Sequence, residues 1–278
     1  MIYVKDKGRL CNNILQFGHA YAWAREHGLN AISMRFSYKY KGFRICHTKG
    51  HNLWSYLWAK YASALKIIPT VDYDSPLLSP GSLASRERKL MRHARTGVVL
   101  SGWWVRHYEL FLKYRSEITG LFSFDETDND VPPLPSAAEG SVWLGVHIRR
   151  GDYARWNGGR YFYTDRQYLE IINRFVELMA QRDVQVNVAV FTNDPEIDLQ
   201  YYSAETDVRT GELLFPCGSA ESDLRALSQC DYIIGPPSTY SLVAAMYRDQ
   251  PLYFITDPDK KFTLNDFSDF EHLFRYNY

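Results

Sequence analysis

Residues 142–153 run Val142-Trp143-Leu144-Gly145-Val146-His147-Ile148-Arg149-Arg150-Gly151-Asp152-Tyr153. The first seven form a short apolar run, which predicts a strand buried on both faces. Two arginines follow at once. Guanidinium groups leaving a buried strand are costly to desolvate unless they meet anions. Their forked donors suit phosphate oxygens. Gly151 allows a sharp turn, and Asp152 can hold one guanidinium in place. The plain alternative is a surface loop closed by an Arg–Asp ion pair.

Downstream the pattern alternates. A helix is predicted over 165–181, a strand over 186–191 and a weak strand over 212–215. A helix over 222–229 precedes a strand at 232–235, and a helix over 239–248 precedes a strand at 252–255. Strands alternating with helices imply right-handed crossovers and a parallel sheet. Upstream, strands are expected at 2–5, 31–36 and 98–102, with helices at 12–27, 52–66 and 106–119. The Pro-rich, acidic stretch 125–140 has neither period and is expected to join two α/β halves. The expected division is a first domain over 1–130, a second over 141–255, and a tail over 256–278 packing back on the first.

The 278 residues are 46% hydrophobic and 23% charged, ordinary for a globular protein. Four cysteines form no CxxC pair, so no zinc ribbon or disulfide scaffold is indicated. No run of about 18 apolar residues predicts a transmembrane helix, and MIYVKDKGRL lacks signal-peptide features. The expected compartment is the cytoplasm, with the inner face of the membrane as the alternative. The net charge of +0 conceals a division. Residues 1–120 hold 19 Lys and Arg against 7 Asp and Glu, a charge of +12, and the remainder carries −12. That asymmetry argues against a uniformly basic nucleic-acid binder, so no nucleic-acid partner is expected. The run Arg86–Arg95 keeps peripheral membrane contact open, although a solvated helix face is the favoured explanation. Aromatic residues reach 15%, with 21 Tyr and 7 Trp, and core packing is their default role.

His147–Tyr153, HIRRGDY, resembles the signature of GDP-fucose-dependent fucosyltransferases, most closely the α-1,2 group. The resemblance implies a GT-B-like fold: two Rossmann-like α/β domains with the nucleotide-sugar site in the cleft. It implies inverting chemistry with GDP-fucose as donor, a glycan acceptor (a lipid-linked one included), and no metal or other cofactor. By analogy Arg149 binds the β-phosphate and stabilises the leaving GDP, Arg150 supports it or the loop, and His147 lies by the nucleotide. Phe191-Thr192-Asn193-Asp194 resembles the family's second element, which brings Asp194 to the site. Asp223, eight residues before Asp231, fits the guanine-reading acid, since a carboxylate accepts from guanine N1–H and N2–H. Ser238, Thr239, Tyr240 and Ser241 open the next helix, where hydroxyls and unpaired N–H groups suit a diphosphate. An ordinary N-cap is the plain alternative for this segment.

Near the start, Gly8-Arg9-Leu10-Cys11-Asn12-Asn13 resembles the family's glycine-rich first loop, with Cys11 in place of a glycine and Asn13 in place of Gln. Asn12 matches the Asn facing the reaction centre, and Arg9 and Asn13 fall on the acceptor side. A helix N-cap is the alternative for Asn12. Asp6, His19 and Asp194 are candidate general bases. Three Asp-x-Asp triplets, Asp72/Asp74, Asp128/Asp130 and Asp257/Asp259, keep a metal-dependent glycosyltransferase as the runner-up. A non-catalytic nucleotide- or phosphate-binding module is the other alternative.

Overall fold

The computed structural model describes residues 1–75, 79–124, 134–207 and 209–277, with residues 276 and 277 as backbone only. The chain divides into two compact units, Met1–Asp128 and Asn129–Tyr278.

The first unit is built on a four-stranded parallel sheet in the order β2-β1-β4-β3. Its strands are β1 (Ile2–Lys5), β2 (Ala31–Ser33), β3 (Thr70–Asp72) and β4 (Val98–Ser101). The helices are α1 (Leu10–Glu26), α2 (Leu53–Ala64), α3 (Pro80–His93), α4 (Tyr108–Lys113) and α5 (Arg115–Leu121). Right-handed crossovers through this order put α1 and α3 on one face of the sheet and α2 on the other. Consistent with this, α1 and α3 share a surface groove lined by Trp23, His27, Ala84 and Glu87. On the opposite face Ala59 and Ala62 of α2 pack with Met34, Ile68 and Val99.

Three expectations need correction here. The strand expected over 31–36 ends at Ser33, because Ser33 Oγ accepts the Phe36 N–H and turns the chain. The helix expected over 106–119 is two short helices that meet at Tyr114. The helix expected from Asn12 begins at Leu10, with Arg9 as N-cap.

The second unit is a five-stranded parallel sheet in the order β7-β6-β5-β8-β9. It comprises β5 (Ser141–Ile148), β6 (Gln185–Thr192), β7 (Thr210–Leu214), β8 (Tyr232–Gly235) and β9 (Leu252–Phe254). Its helices are α6 (Asp165–Ala180), α7 (Leu199–Glu205), α8 (Ala220–Leu227), α9 (Thr239–Met246) and α10 (Phe270–Asn277). β5 is central, and Leu144, Val146 and Ile148 are wholly buried among residues of α6 and β6. Polar side chains start the helices. Thr164 and Gln167 form a capping box on α6, and Ser219 and Ser238 cap α8 and α9.

The segment 256–278 belongs to this unit. Ser268 bridges to Leu252 of β9, and Phe262 joins the same hydrophobic core as β5 and α6. Most of the expected linker, residues 125–133, lies outside the described residues.

Candidate functional site

Strand order in the second unit reverses between β5 and β8. The chain leaves β5 towards β6 on one side, and β8 continues to β9 on the other. Loops at the carboxyl ends of such neighbours diverge, which opens a crevice suited to a nucleotide. HIRRGDY spans the end of β5 and the loop after it, and Pro236–Ser241 follows β8, so two of the motifs meet at this point. Tyr153 joins them, its hydroxyl donating to the Pro237 carbonyl at 2.7 Å.

The two arginines separate. Arg149 pairs with Asp152 at 2.6 Å, and its guanidinium carbon lies 5.4 Å from the Tyr153 ring centroid. Arg150 goes to the start of α6 and pairs with Asp165 at 2.6 Å. Asp194 lies 4.0 Å from its Nε, and the Phe162 ring lies 5.0 Å from its guanidinium. Tyr202 also donates to Asp165, at 3.0 Å. Arg150 is thus locked by an acid that the sequence motifs do not mark. Asp152 acts on the arginine at Arg149, as the sequence suggests.

The turn itself is held by Asn193. Its Oδ1 accepts the Arg150 N–H at 2.9 Å and its Nδ2 donates back to the Arg150 carbonyl. Gly151 sits at φ +66, a conformation that favours glycine. Asn193 is visible in the 191–194 motif, but its partner across two strands is not.

His147 ends β5 as a buried ring, with Nδ1 2.8 Å from Ser241 Oγ. Burial, reinforced by the Arg149 charge, lowers this imidazole to about 3, so it is neutral at ordinary pH. Ser241 is itself wholly buried, and the Tyr240 ring lies 5.0 Å from that of His147. Ser238 Oγ accepts the Tyr240 N–H at 3.1 Å, so the N-cap expected as an alternative is present. Thr239 is the first residue of α9.

Gly235 permits this close packing. A Cβ there would lie 3.0 Å from both the His147 carbonyl oxygen and Ser241 Oγ. Gly235→Ala is expected to lower stability by about 1–3 kcal/mol, read as a fall in Tm. An unchanged Tm would show that the two loops can separate freely.

Asp223 stands in the first turn of α8, half-buried, and its Oδ1 accepts the Gly218 N–H at 3.0 Å. Burial lifts its carboxyl to about 6. Tyr240 ties α9 to the start of α8 through a bond from its hydroxyl to the Ala220 carbonyl.

Arg9, Asn12 and Asn13 lie in the first unit, after the turn at Gly8. Asn12 falls inside α1, and the N-cap is Arg9, which makes no side-chain cap bond. Asn13 is wholly buried and its amide atoms have no partner among the described residues, so it does not reach solvent. Gln16, unmarked in the sequence, fixes this loop by bonding both the N–H and the carbonyl of Lys7.

Asp6 is buried at the end of β1 and accepts from Ser33 Oγ. Burial raises its carboxyl to about 7. His19 accepts the His107 N–H, and burial followed by the Arg106 charge lowers its ring well below the usual value. Asp74 pairs with Lys7, and Asp257 accepts the Asp259 N–H. Asp128/Asp130 lies outside the described residues. No group of three metal-ligating side chains occurs among the described residues.

Two parallel Rossmann-like sheets in one chain, with a phosphate-suited arginine at the switch point of the second, make this a GT-B-type glycosyltransferase fold. Residues 136–267, slightly less than half of the chain, match the model of Glycosyl transferase family 11. The second unit is thus similar to Glycosyl transferase family 11, and the chain is a glycosyltransferase. No curated protein matches the chain in sequence. Among solved structures, a mutant of Arabidopsis thaliana FUT1 in complex with GDP has a TM-score of 0.59 at 10% identity. That likeness covers 96% of this chain and 72% of that one. POFUT1 in complex with GDP-fucose has a TM-score of 0.53 at 11% identity, covering 90% of this chain and 93% of that one. At these identities the likeness concerns the fold.

Proposed function

We propose that the protein transfers fucose from GDP-fucose to a glycan hydroxyl, with inversion at fucose C1 and formation of an α-1,2 bond to galactose. The observation that carries this reading is the placement of Arg149 at the β5/β8 switch point, tied through Tyr153 to the loop that opens α9. As the C1–O bond of the donor breaks, negative charge builds on the β-phosphate. Arg149 is held in advance where that charge develops. Arg150, locked by Asp165, keeps the loop in shape. The neutral His147 ring holds the strand end to Ser241. Asp223 reads the guanine edge. The α-1,2 linkage rests on the form of HIRRGDY, and the GDP-bound and GDP-fucose-bound solved structures support the donor.

The test is a thermal-shift comparison of nucleoside diphosphates on the full chain, followed by a fucosyl-transfer assay against a glycan array. GDP is expected to raise the Tm and UDP to leave it unchanged. A shift with UDP instead would overturn the donor assignment, and GDP binding without transfer would support a non-catalytic module. With Arg149 answering the phosphate charge, EDTA is expected to leave transfer unchanged. Complete loss restored by manganese would favour the metal-dependent alternative.

A further inference from the structure

Helix α2 is folded with its amphipathic sense reversed. Its fully buried positions are small, Ala59 and Ala62, with Tyr56 packed partly against the same cluster. The large apolar residues point away from the protein. Trp54 is 80% exposed, Trp58 52%, Tyr61 56% and Leu65 71%. These positions are spaced by four, three and four residues, so they form one stripe along the helix. Ile67, just beyond the helix, is 62% exposed. A monomeric protein seldom leaves such a contiguous stripe to water, and where one occurs it marks a contact surface.

The surrounding charge selects the contact. Residues 27–71 contain seven Lys and Arg and no Asp or Glu. Lys60 lies within the helix and Lys66 just beyond its C-cap Leu65, and the Lys60 ammonium lies 5.6 Å from the ring centroids of both Tyr56 and Tyr61. Trp, Tyr and Leu on one stripe, in a segment with lysines and no acid between residues 27 and 71, is a composition that beds into the headgroup boundary of an anionic bilayer. By contrast, the basic run on α3 has side chains tied to the protein. Arg86 donates to the Asp72 carbonyl and Lys89 to the Thr70 carbonyl. Among the described residues no helix is long and apolar enough to cross a membrane.

We propose that the exposed face of α2 is a docking surface for an anionic lipid bilayer, with Trp54, Trp58, Tyr61 and Leu65 entering the interface and Lys60 and Lys66 meeting the headgroups. The inference is independent of the donor assignment, because every residue it uses lies in the first unit. The experiment is flotation of the full chain with vesicles of phosphatidylcholine and phosphatidylglycerol, alongside vesicles of phosphatidylcholine alone.

The chain is expected to float with the anionic vesicles and to bind the neutral ones more weakly. The double variant Trp54→Ser/Trp58→Ser is expected to lose roughly tenfold or more in partitioning. Lys60→Glu and Lys66→Glu are each expected to lose about fivefold or more on the anionic vesicles. Both tryptophans are more than half exposed, so an unchanged Tm will confirm that the variant keeps its fold. Failure of the wild-type chain to float, or flotation of the Trp variant at the wild-type level, would overturn the proposal. So would a dimer, detected by light scattering without vesicle binding and lost in the Trp variant, because it would assign the stripe to a second copy of the chain.

Discussion

Arg149→Ala is expected to reduce kcat by roughly 10²–10³-fold with little change in Tm, measured as fucose transfer at saturating GDP-fucose. The size follows from where the guanidinium acts. In the proposed role it contributes most when charge has moved onto the leaving diphosphate, so its loss is expected to fall on kcat more than on KM. Its side chain retains 15% of its exposure and is already steered by Asp152 and the Tyr153 ring. The group is therefore ordered before the donor arrives. The partner left behind, Asp152, keeps half of its side-chain exposure, and water can satisfy it, which is why the fold should survive. Arg149→Lys keeps the charge but loses the fork, so an intermediate rate is expected. Near-wild-type turnover in the Ala variant would remove the basis of the mechanism.

Asp223→Asn is expected to weaken GDP binding by about 10–100-fold and to change how binding depends on pH. An ionised carboxylate can accept from both guanine N1–H and N2–H, whereas the amide offers one acceptor and sets a donor against a donor. In the wild-type chain burial lifts this carboxyl to about 6. Binding needs the charged form, so affinity attributable to Asp223 is present above that value and is lost as pH falls through it. Titration calorimetry with GDP at pH 7.5 and pH 5 checks both parts. The difference between wild type and variant cancels the nucleotide's own ionisation. Equal affinities with parallel pH profiles would show that Asp223 does not read the base.

The central strand and its motif are legible in the sequence because everything they need is local. An apolar run long enough to cross a sheet ends in two arginines, and Gly151 then turns the chain. The helices with hydroxyl caps are legible for the same reason. What separates Arg149 from Arg150 is not local. Asp165 reaches Arg150 from the start of α6, where the chain folds back after the loop, and Asn193 reaches it from the end of β6, a meeting that depends on parallel register across β5 and β6.

The link from Tyr153 to Pro237 is equally out of reach, because it spans the switch point between β5 and β8. In the first unit the edge strand β3 has only three residues, two of them exposed, so no period marks it. The aromatic richness of α2 is plain in the sequence. Which side faces inward is decided by the fit of Ala59 and Ala62 to the sheet, which a count of aromatics does not show.

The buried Asp6 at the end of β1 also makes the first unit a proton acceptor on folding. Its carboxyl moves from the usual 3.8 to about 7 when burial removes water, only partly offset by the Ser33 hydroxyl and by Arg35. A folded state that holds this proton more tightly than the unfolded chain is favoured by acid. The penalty of ionising Asp6 is absent below about 3.8, grows as pH rises and is complete above about 7, where it is on the order of a few kcal/mol. Asp6→Asn, which keeps an acceptor for Ser33, is expected to raise the Tm more at pH 8 than at pH 5. Equal gains at the two values would mean that Asp6 ionises freely in the folded protein. The stability of the first unit is thus expected to fall with rising pH over the range in which the guanine contact proposed for Asp223 is expected to strengthen.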